Sequence, residues 1–187
     1  MAHSYIQAHD SELDAFRAFA KLYPDTVLLV DTYDTLDGVH RVVELAAELG
    51  DRFQVRAIRL DSGDLIDLAF RARRILDDAG LNRVKIFASG GLDEESIADI
   101  AAQSAPIDGL GVGTGMGVSR DAPALDMAYK LTSYAGRGRL KLSSGKDILP
   151  GRKQVFRIED NSVAVEDIVG RDGEQQILRV ERGEQEP

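Results

Sequence analysis

The 187 residues contain no cysteine and no tryptophan. Without thiols there is no disulfide and no thiolate metal site, and the composition suits a reducing, cytoplasmic compartment. Histidine is nearly as scarce: His3, His9 and His40 are all there is. Long apolar runs are missing as well. Val27 to Val30 is one of the longest, far below the roughly 18 residues that span a bilayer. No charged stretch followed by an apolar one opens the chain, so no signal peptide is expected and no membrane association either. Positive charge is in deficit, with a formal net charge of −9. That argues against non-specific binding to nucleic acid or anionic lipid, and leaves room for a local basic pocket.

What is present is a rhythm of strand and helix. Thr26 to Asp31 reads as a buried strand. Val39 to Leu49 carries apolar residues at helical spacing and stops at Gly50. Val55 to Leu60 is the next strand, Leu65 to Ala79 the next helix, and Val84 to Ala88 a third strand. Asp93 then caps a helix to about Gln103, with Glu94 and Glu95 where the helix dipole favours them. Ile107 to Val112 is a fourth strand. Upstream, Ser11 to Leu22 reads as a helix, and Met1 to Ile6 as the stub of an earlier strand and loop. Units repeating every 25 to 30 residues or so point to parallel βα units in a sheet or barrel. From about Tyr129 the composition changes. Val155 to Ile158 and Ser162 to Val165 read as short strands around a turn at Glu159 to Asn161, and a polar tail follows Arg171. The expected organisation is a partial α/β barrel over 1–128 and a β-rich segment over 129–187.

In βα barrels the chemistry lies at the carboxyl ends of the strands. Polar residues and glycines gather there: Asp31-Thr-Tyr-Asp34, Arg59-Leu-Asp-Ser-Gly-Asp64, Ser89-Gly-Gly-Leu-Asp93 and Gly111-Val-Gly-Thr-Gly115. Gly90, Gly91 and Gly113 allow a ligand close to the backbone N–H groups, and Thr114 adds a hydroxyl. Such donors form anion sites, although glycines at strand ends also serve tight turns. Asp31, Asp34, Asp61 and Asp64 suit Mg²⁺ or sugar hydroxyls, or else helix capping. Capping is favoured for Asp64, and a ligand role for Asp61. Arg59 and Asp61 are two apart and share one side of a strand, as a ligand-holding pair or a structural ion pair. Lys141, Lys146, Arg152 and Lys153 form a basic stretch, either a solvated loop or a polyphosphate patch. His3, taken alone, reads as an ordinary surface residue.

Taken together, the motif Met1-Ala-His-Ser4, those four strand ends and Pro150-Gly-Arg-Lys-Gln-Val155 resemble nicotinate phosphoribosyltransferases in order and spacing over about residues 1 to 160. The resemblance is to their C-terminal half; nicotinamide-specific relatives share the frame more loosely. It implies an irregular, TIM-like α/β barrel whose chain returns to a smaller domain. It also implies a reaction in NAD salvage. Nicotinate attacks C1 of phosphoribosyl pyrophosphate, pyrophosphate leaves, and ATP hydrolysis is coupled through a phosphohistidine. By this resemblance His3 is the phosphoryl carrier, Arg59 and Asp61 contact base and ribose, and Ser89, Gly90, Gly91, Gly113 and Thr114 hold phosphate. ATP and Mg²⁺ are the implied cofactors, no protein-bound resident metal is implied, and the complete enzyme is a homodimer. The alternatives are a nicotinamide-specific enzyme or an inactive phosphate-binding fragment.

Family members are considerably longer. The expectation is therefore a half-barrel with open sheet edges, prone to self-association. An inner sheet face lined by Leu29, Ile58, Ile86 and Leu110 would be partly uncovered, His3 would lack an anchor, and Lys141 to Val155 would be mobile.

Overall fold

The computed structural model describes residues 1–171 apart from Arg120, Pro123, Ala124, Asp126, Ser144 and Asp147. They divide into two units, Met1–Lys130 with Lys141–Ile148, and Leu131–Leu140 with 149–171.

The first unit is built on a parallel sheet of β1 (Val27–Leu29), β2 (Ala57–Leu60), β3 (Lys85–Ser89) and β4 (Gly109–Gly111). The strands lie side by side in chain order. Helices α3 (Thr35–Leu49), α4 (Leu65–Asp78) and α5 (Glu94–Ala102) make the three crossovers. Crossovers between parallel neighbours are almost always right-handed, and in sequential order this brings successive helices to one face. Helix α2 (Glu12–Leu22) packs beside α3, and the short α1 (His3–Gln7) packs on α2. The opening residues thus form a helix rather than the expected strand stub.

Each long helix starts where a side chain satisfies its free N–H groups. Ser11 accepts from Asp14 N, Asp34 and Asp64 each accept two backbone N–H bonds, and Asp93 closes a capping box with Ser96. The core joins the strands to the apolar stripes of the helices. Phe16 comes from α2, Val39, Val42 and Leu45 from α3, and Ala69, Ala72 and Leu76 from α4, all but fully buried. Gly38 explains how closely α3 approaches the sheet. A Cβ at this position would lie 2.0 Å from the Val30 carbonyl oxygen. A glycine inside a helix costs about 1 kcal/mol against alanine, and here it is the residue that avoids that collision.

The register corrects the expected inner face. Leu28, Ile58 and Ile86 are paired across β1 to β3, whereas Leu29 is in line with Arg59, Phe87 and Gly109. Side chains alternate along a strand, so Leu29 belongs to the face opposite Ile58 and Ile86. The first triplet is wholly buried against the helices. Only the second face carries Arg59 towards the polar strand ends.

The second unit contains a two-residue hairpin, β5 (Ser133–Tyr134) with β6 (Arg137–Gly138), and a long one, β7 (Lys153–Asp160) with β8 (Val163–Arg171). The long hairpin turns at Asn161 and Ser162, both at positive φ, as a tight two-residue turn requires. The first strand reaches beyond both ends of the stretch expected from sequence; the second starts at Val163 rather than Ser162 and runs on past Val165 to Arg171. The cross-strand pair Arg157 and Asp167 is bidentate at 2.9 Å.

Candidate functional site

Asp61 is the hub. It follows β2 directly, so the strand delivers it to the carboxyl end of the sheet. Ser89, the last residue of β3, donates its hydroxyl to Asp61 Oδ1 at 2.6 Å. The Lys146 ammonium donates to the Asp61 carbonyl at 2.6 Å and lies 3.3 Å from Oδ2. His3 Nε2 lies 3.7 Å from the same Oδ2, an ion-pair distance rather than a hydrogen bond. Burial pushes the Asp61 carboxyl up. The histidine, the serine hydroxyl and the lysine ammonium outweigh that effect and hold it well below the usual carboxylate range. Asp61 is therefore ionised at neutral pH.

A second carboxylate stands behind it. Asp31, fully buried, accepts from Asp61 N at 3.0 Å and from the Ser62 hydroxyl through Oδ2. Its other oxygen, Oδ1, is buried without a hydrogen-bond partner. His3, Asp31 and Asp61 each bring a donor atom within 4.8 Å of the others.

Lys141, Leu142, Ser143 and Lys146 lie over these strand ends as a strap. Leu142 N donates to the Thr32 carbonyl at 3.0 Å, and the Ser143 hydroxyl donates to the Asp31 carbonyl. Lys141 is 1% exposed. Its loss of hydration lowers the ammonium pKa, opposed by the nearby Asp31 charge. Lys141 to Val155 was expected to be mobile; within that stretch Leu142, Ser143 and Lys146 are each bonded to residues at the strand ends. His3, expected to lack an anchor, hydrogen-bonds through Nδ1 to Thr32 Oγ1 at 3.0 Å.

The glycine clusters are neighbours, because Ser89 is paired with Gly111 in the sheet. Gly90 has φ +95°, and a Cβ on it would meet the Asp61 carbonyl oxygen at 2.1 Å. Only glycine fits both the dihedral and the contact. A Cβ on Gly91 or Gly113 would meet nothing within 4 Å, so both flank open space. Among the described residues the N–H groups of Gly90, Gly91, Gly113 and Thr114 donate to no backbone carbonyl. Gly113 precedes the four-residue helix α6 (Thr114–Gly117).

Arg59 stands apart from this hub. Its Nη2 donates to the Met1 carbonyl at 3.3 Å, and among the described residues it makes no ion pair with Asp61. Its Nε is buried without a partner. Asp34 and Asp64 cap α3 and α4. Sequence reasoning did not assign Thr32, Ser62, Ser143 or Lys146 to the site. The basic stretch pointed towards Lys146. Thr32 and Ser62 lie inside the strand-end motifs but were not singled out there, and the roles of both and of Ser143 depend on contacts across 29 to 112 residues.

Consecutive parallel βα units with ionisable groups and free N–H donors at the carboxyl strand ends define an α/β protein with a polar ligand site at those ends. No protein-family model matches the chain. It is 63% identical over 174 residues to a nicotinate phosphoribosyltransferase of Mycobacterium tuberculosis, covering 93% of this chain and 38% of the relative. It is 45% identical over 168 residues to the Bacillus subtilis nicotinate phosphoribosyltransferase, covering 86% and 34%. A solved nicotinate phosphoribosyltransferase from Vibrio cholerae superposes with a TM-score of 0.63 at 18% identity, covering 79% of this chain and 40% of that one, a likeness of fold. The chain belongs to the nicotinate phosphoribosyltransferase family and spans under two fifths of the length of the curated relatives it matches. Among the described residues no helix is long and apolar enough to cross a membrane.

Proposed function

We propose that this chain carries the strand-end catalytic face of a cytoplasmic nicotinate phosphoribosyltransferase. The longer protein converts nicotinate, phosphoribosyl pyrophosphate, ATP and water to nicotinate mononucleotide, pyrophosphate, ADP and phosphate. Its four strands are one arc of a TIM-like barrel closed by the rest of that protein, which works as a homodimer. The observation that carries this reading is the Asp61 hub, an ionised carboxylate beside two open glycine loops, in a chain 63% identical to a protein of that name.

The residues divide the work as follows. Departure of pyrophosphate leaves positive charge on the ribose around C1, and the fixed, ionised Asp61 stabilises it without reorganising. The N–H groups of Gly90, Gly91, Gly113 and Thr114 bind phosphate oxygens, with the Ser89 hydroxyl beside them. Lys146 adds positive charge on the same side. The buried, unpartnered Nε of Arg59 is a donor for the carboxylate of nicotinate. His3 accepts a phosphoryl group from ATP, since neutral imidazole is nucleophilic near neutral pH.

The residues also fit Mg²⁺, because Asp31 Oδ1 is a buried oxygen with no other partner and Asp61 lies beside it. Oxygen ligands are what this ion prefers. Asp31 and Asp61 would hold it, and it would neutralise charge on the departing pyrophosphate. The deciding experiment assays the full-length protein for nicotinate mononucleotide, with nicotinamide as the competing substrate. Turnover with nicotinate supports the proposal, and turnover with nicotinamide alone overturns it.

A further inference from the structure

The contacts around Thr32 are more specific than those of an ordinary loop residue. Thr32 is completely buried, three residues past the end of β1. Its hydroxyl meets His3 Nδ1 at 3.0 Å, across 29 residues of chain. Its own carbonyl is held by Leu142 N at 3.0 Å, and the preceding carbonyl, of Asp31, by the Ser143 hydroxyl. The side chain that touches the imidazole is thus fixed from behind by the strap.

The two sides of the ring face different chemistry. Nε2 faces the Asp61 carboxylate at 3.7 Å. A carboxylate can only accept. Nδ1 faces a hydroxyl, which can donate or accept. A neutral imidazole carries one proton, and the lower-energy arrangement points it at the anion. The Thr32 hydroxyl must then donate to Nδ1. The opposite tautomer would aim a lone pair at a carboxylate and leave the Thr32 hydroxyl without its acceptor.

We propose that Thr32 is a positioning residue that fixes the His3 ring in its Nε2–H tautomer, with Nδ1 capped by the Thr32 hydroxyl, and that Ser143 supports Thr32 in that role. Serine at position 32 keeps the donor, whereas valine keeps the shape and loses it. Under the proposed function the phosphoryl acceptor is Nδ1, which carries the lone pair in this tautomer, and the Thr32 hydroxyl turns away from it as the N–P bond forms; that link rests on the proposed function. The tautomer itself does not, so the two can fail separately.

Long-range ¹H–¹⁵N NMR of the ¹⁵N-labelled 187-residue chain reads the tautomer without any turnover. The expected result is a pyrrole-type Nε2 and a pyridine-type Nδ1 for His3 at a pH where the ring is neutral. Thr32→Val should move both nitrogens towards the averaged positions of a mixed-tautomer ring, while Thr32→Ser keeps the wild-type pattern. Ser143→Ala should shift His3 in the same sense as the valine variant, by less. His9 and His40 act as internal controls, and an unchanged backbone spectrum establishes that each variant is folded. A pyridine-type Nε2 in the wild-type chain overturns the proposal. So does a Thr32→Val chain with unchanged His3 nitrogens. If Thr32→Val unfolds, Thr32→Ser and Ser143→Ala still decide. A serine variant that loses the wild-type pattern, or a Ser143→Ala chain identical to wild type, removes the positioning role.

Discussion

Replacing Glu12 by glutamine should stabilise the first unit, and increasingly so as pH rises. Glu12 opens α2, is 8% exposed, and keeps Oε1 buried without a partner. Burial is the largest influence on it and raises its pKa from the ordinary 4.5 to about 8. Arg41 opposes the shift, and Asp31, Asp37 and Asp34 reinforce it. An acid whose pKa is raised by folding holds its proton in the folded state when the unfolded chain has already lost it. Stability therefore falls as pH climbs from 4.5 towards 8, by about 1.4 kcal/mol per pH unit. At pH 7 the cost comes to about 3 kcal/mol, an upper figure because local relaxation reduces it. Glutamine never ionises and escapes this cost. The assay is urea unfolding followed by helical circular dichroism, since there is no tryptophan to report by fluorescence. The expected gap between Glu12→Gln and wild type is under about 1 kcal/mol at pH 5 and between about 1 and 3 kcal/mol at pH 7. A gap that is the same at both pH values, or a wild-type stability that rises from pH 5 to 8, would refute the reasoning.

Asp61 works in the opposite direction. Its pKa is lowered by folding despite the opposing effect of burial, so its contribution is present above pH 3.8 and is lost as pH falls below it. Asp61→Asn should flatten the acid limb of the unfolding profile, and in the full-length protein reduce kcat by at least about 100-fold. Gly90→Ala places a Cβ 2.1 Å from the Asp61 carbonyl oxygen at φ +95°, so a loss of roughly 2 kcal/mol or more is expected. Calorimetric titration with phosphate checks the second consequence, at least tenfold weaker binding. Gly38→Ala gains helix propensity yet collides with the Val30 carbonyl; the net should be destabilising by more than about 1 kcal/mol, read by urea unfolding. Incubating the full-length protein with γ-labelled ATP should label His3, and label found instead on His9 or His40 would displace the proposed carrier.

The sheet was legible because its signals are local. Asp34, Asp64 and Asp93 sit where a cap must be, each followed by an apolar helical stripe, and the three helices begin at the next residue. Strand faces were less legible. β1 to β3 are short and buried on both sides, so alternation is weak, and Leu29 was placed with the wrong partners. Helix α1 was missed because five residues show less than two turns of periodicity. The site was half legible. Asp61, Ser89 and the glycines stand at strand ends, where a parallel sheet always concentrates its polar groups. The ties of the basic stretch were not legible for a definite reason: Leu142 and Ser143 look like ordinary loop residues, and the carbonyls that hold them, of Thr32 and Asp31, lie more than a hundred residues earlier.

That long reach has a consequence for how the molecule is made. Neighbouring strands are paired across about 30 residues or fewer, so each unit can dock on the previous one as it leaves the ribosome. The strap closes over separations of 85 and 112 residues. Loop-closure entropy rises only slowly with length, so the strap's delay comes mainly from the order of synthesis. For an interval after β4 has been made, Asp31 and Asp61 stand beside each other with neither lysine present, and the sheet exists before the site does. A nascent chain arrested before Lys141 should therefore protect its strand amides from exchange while the Asp31 and Asp61 region stays open.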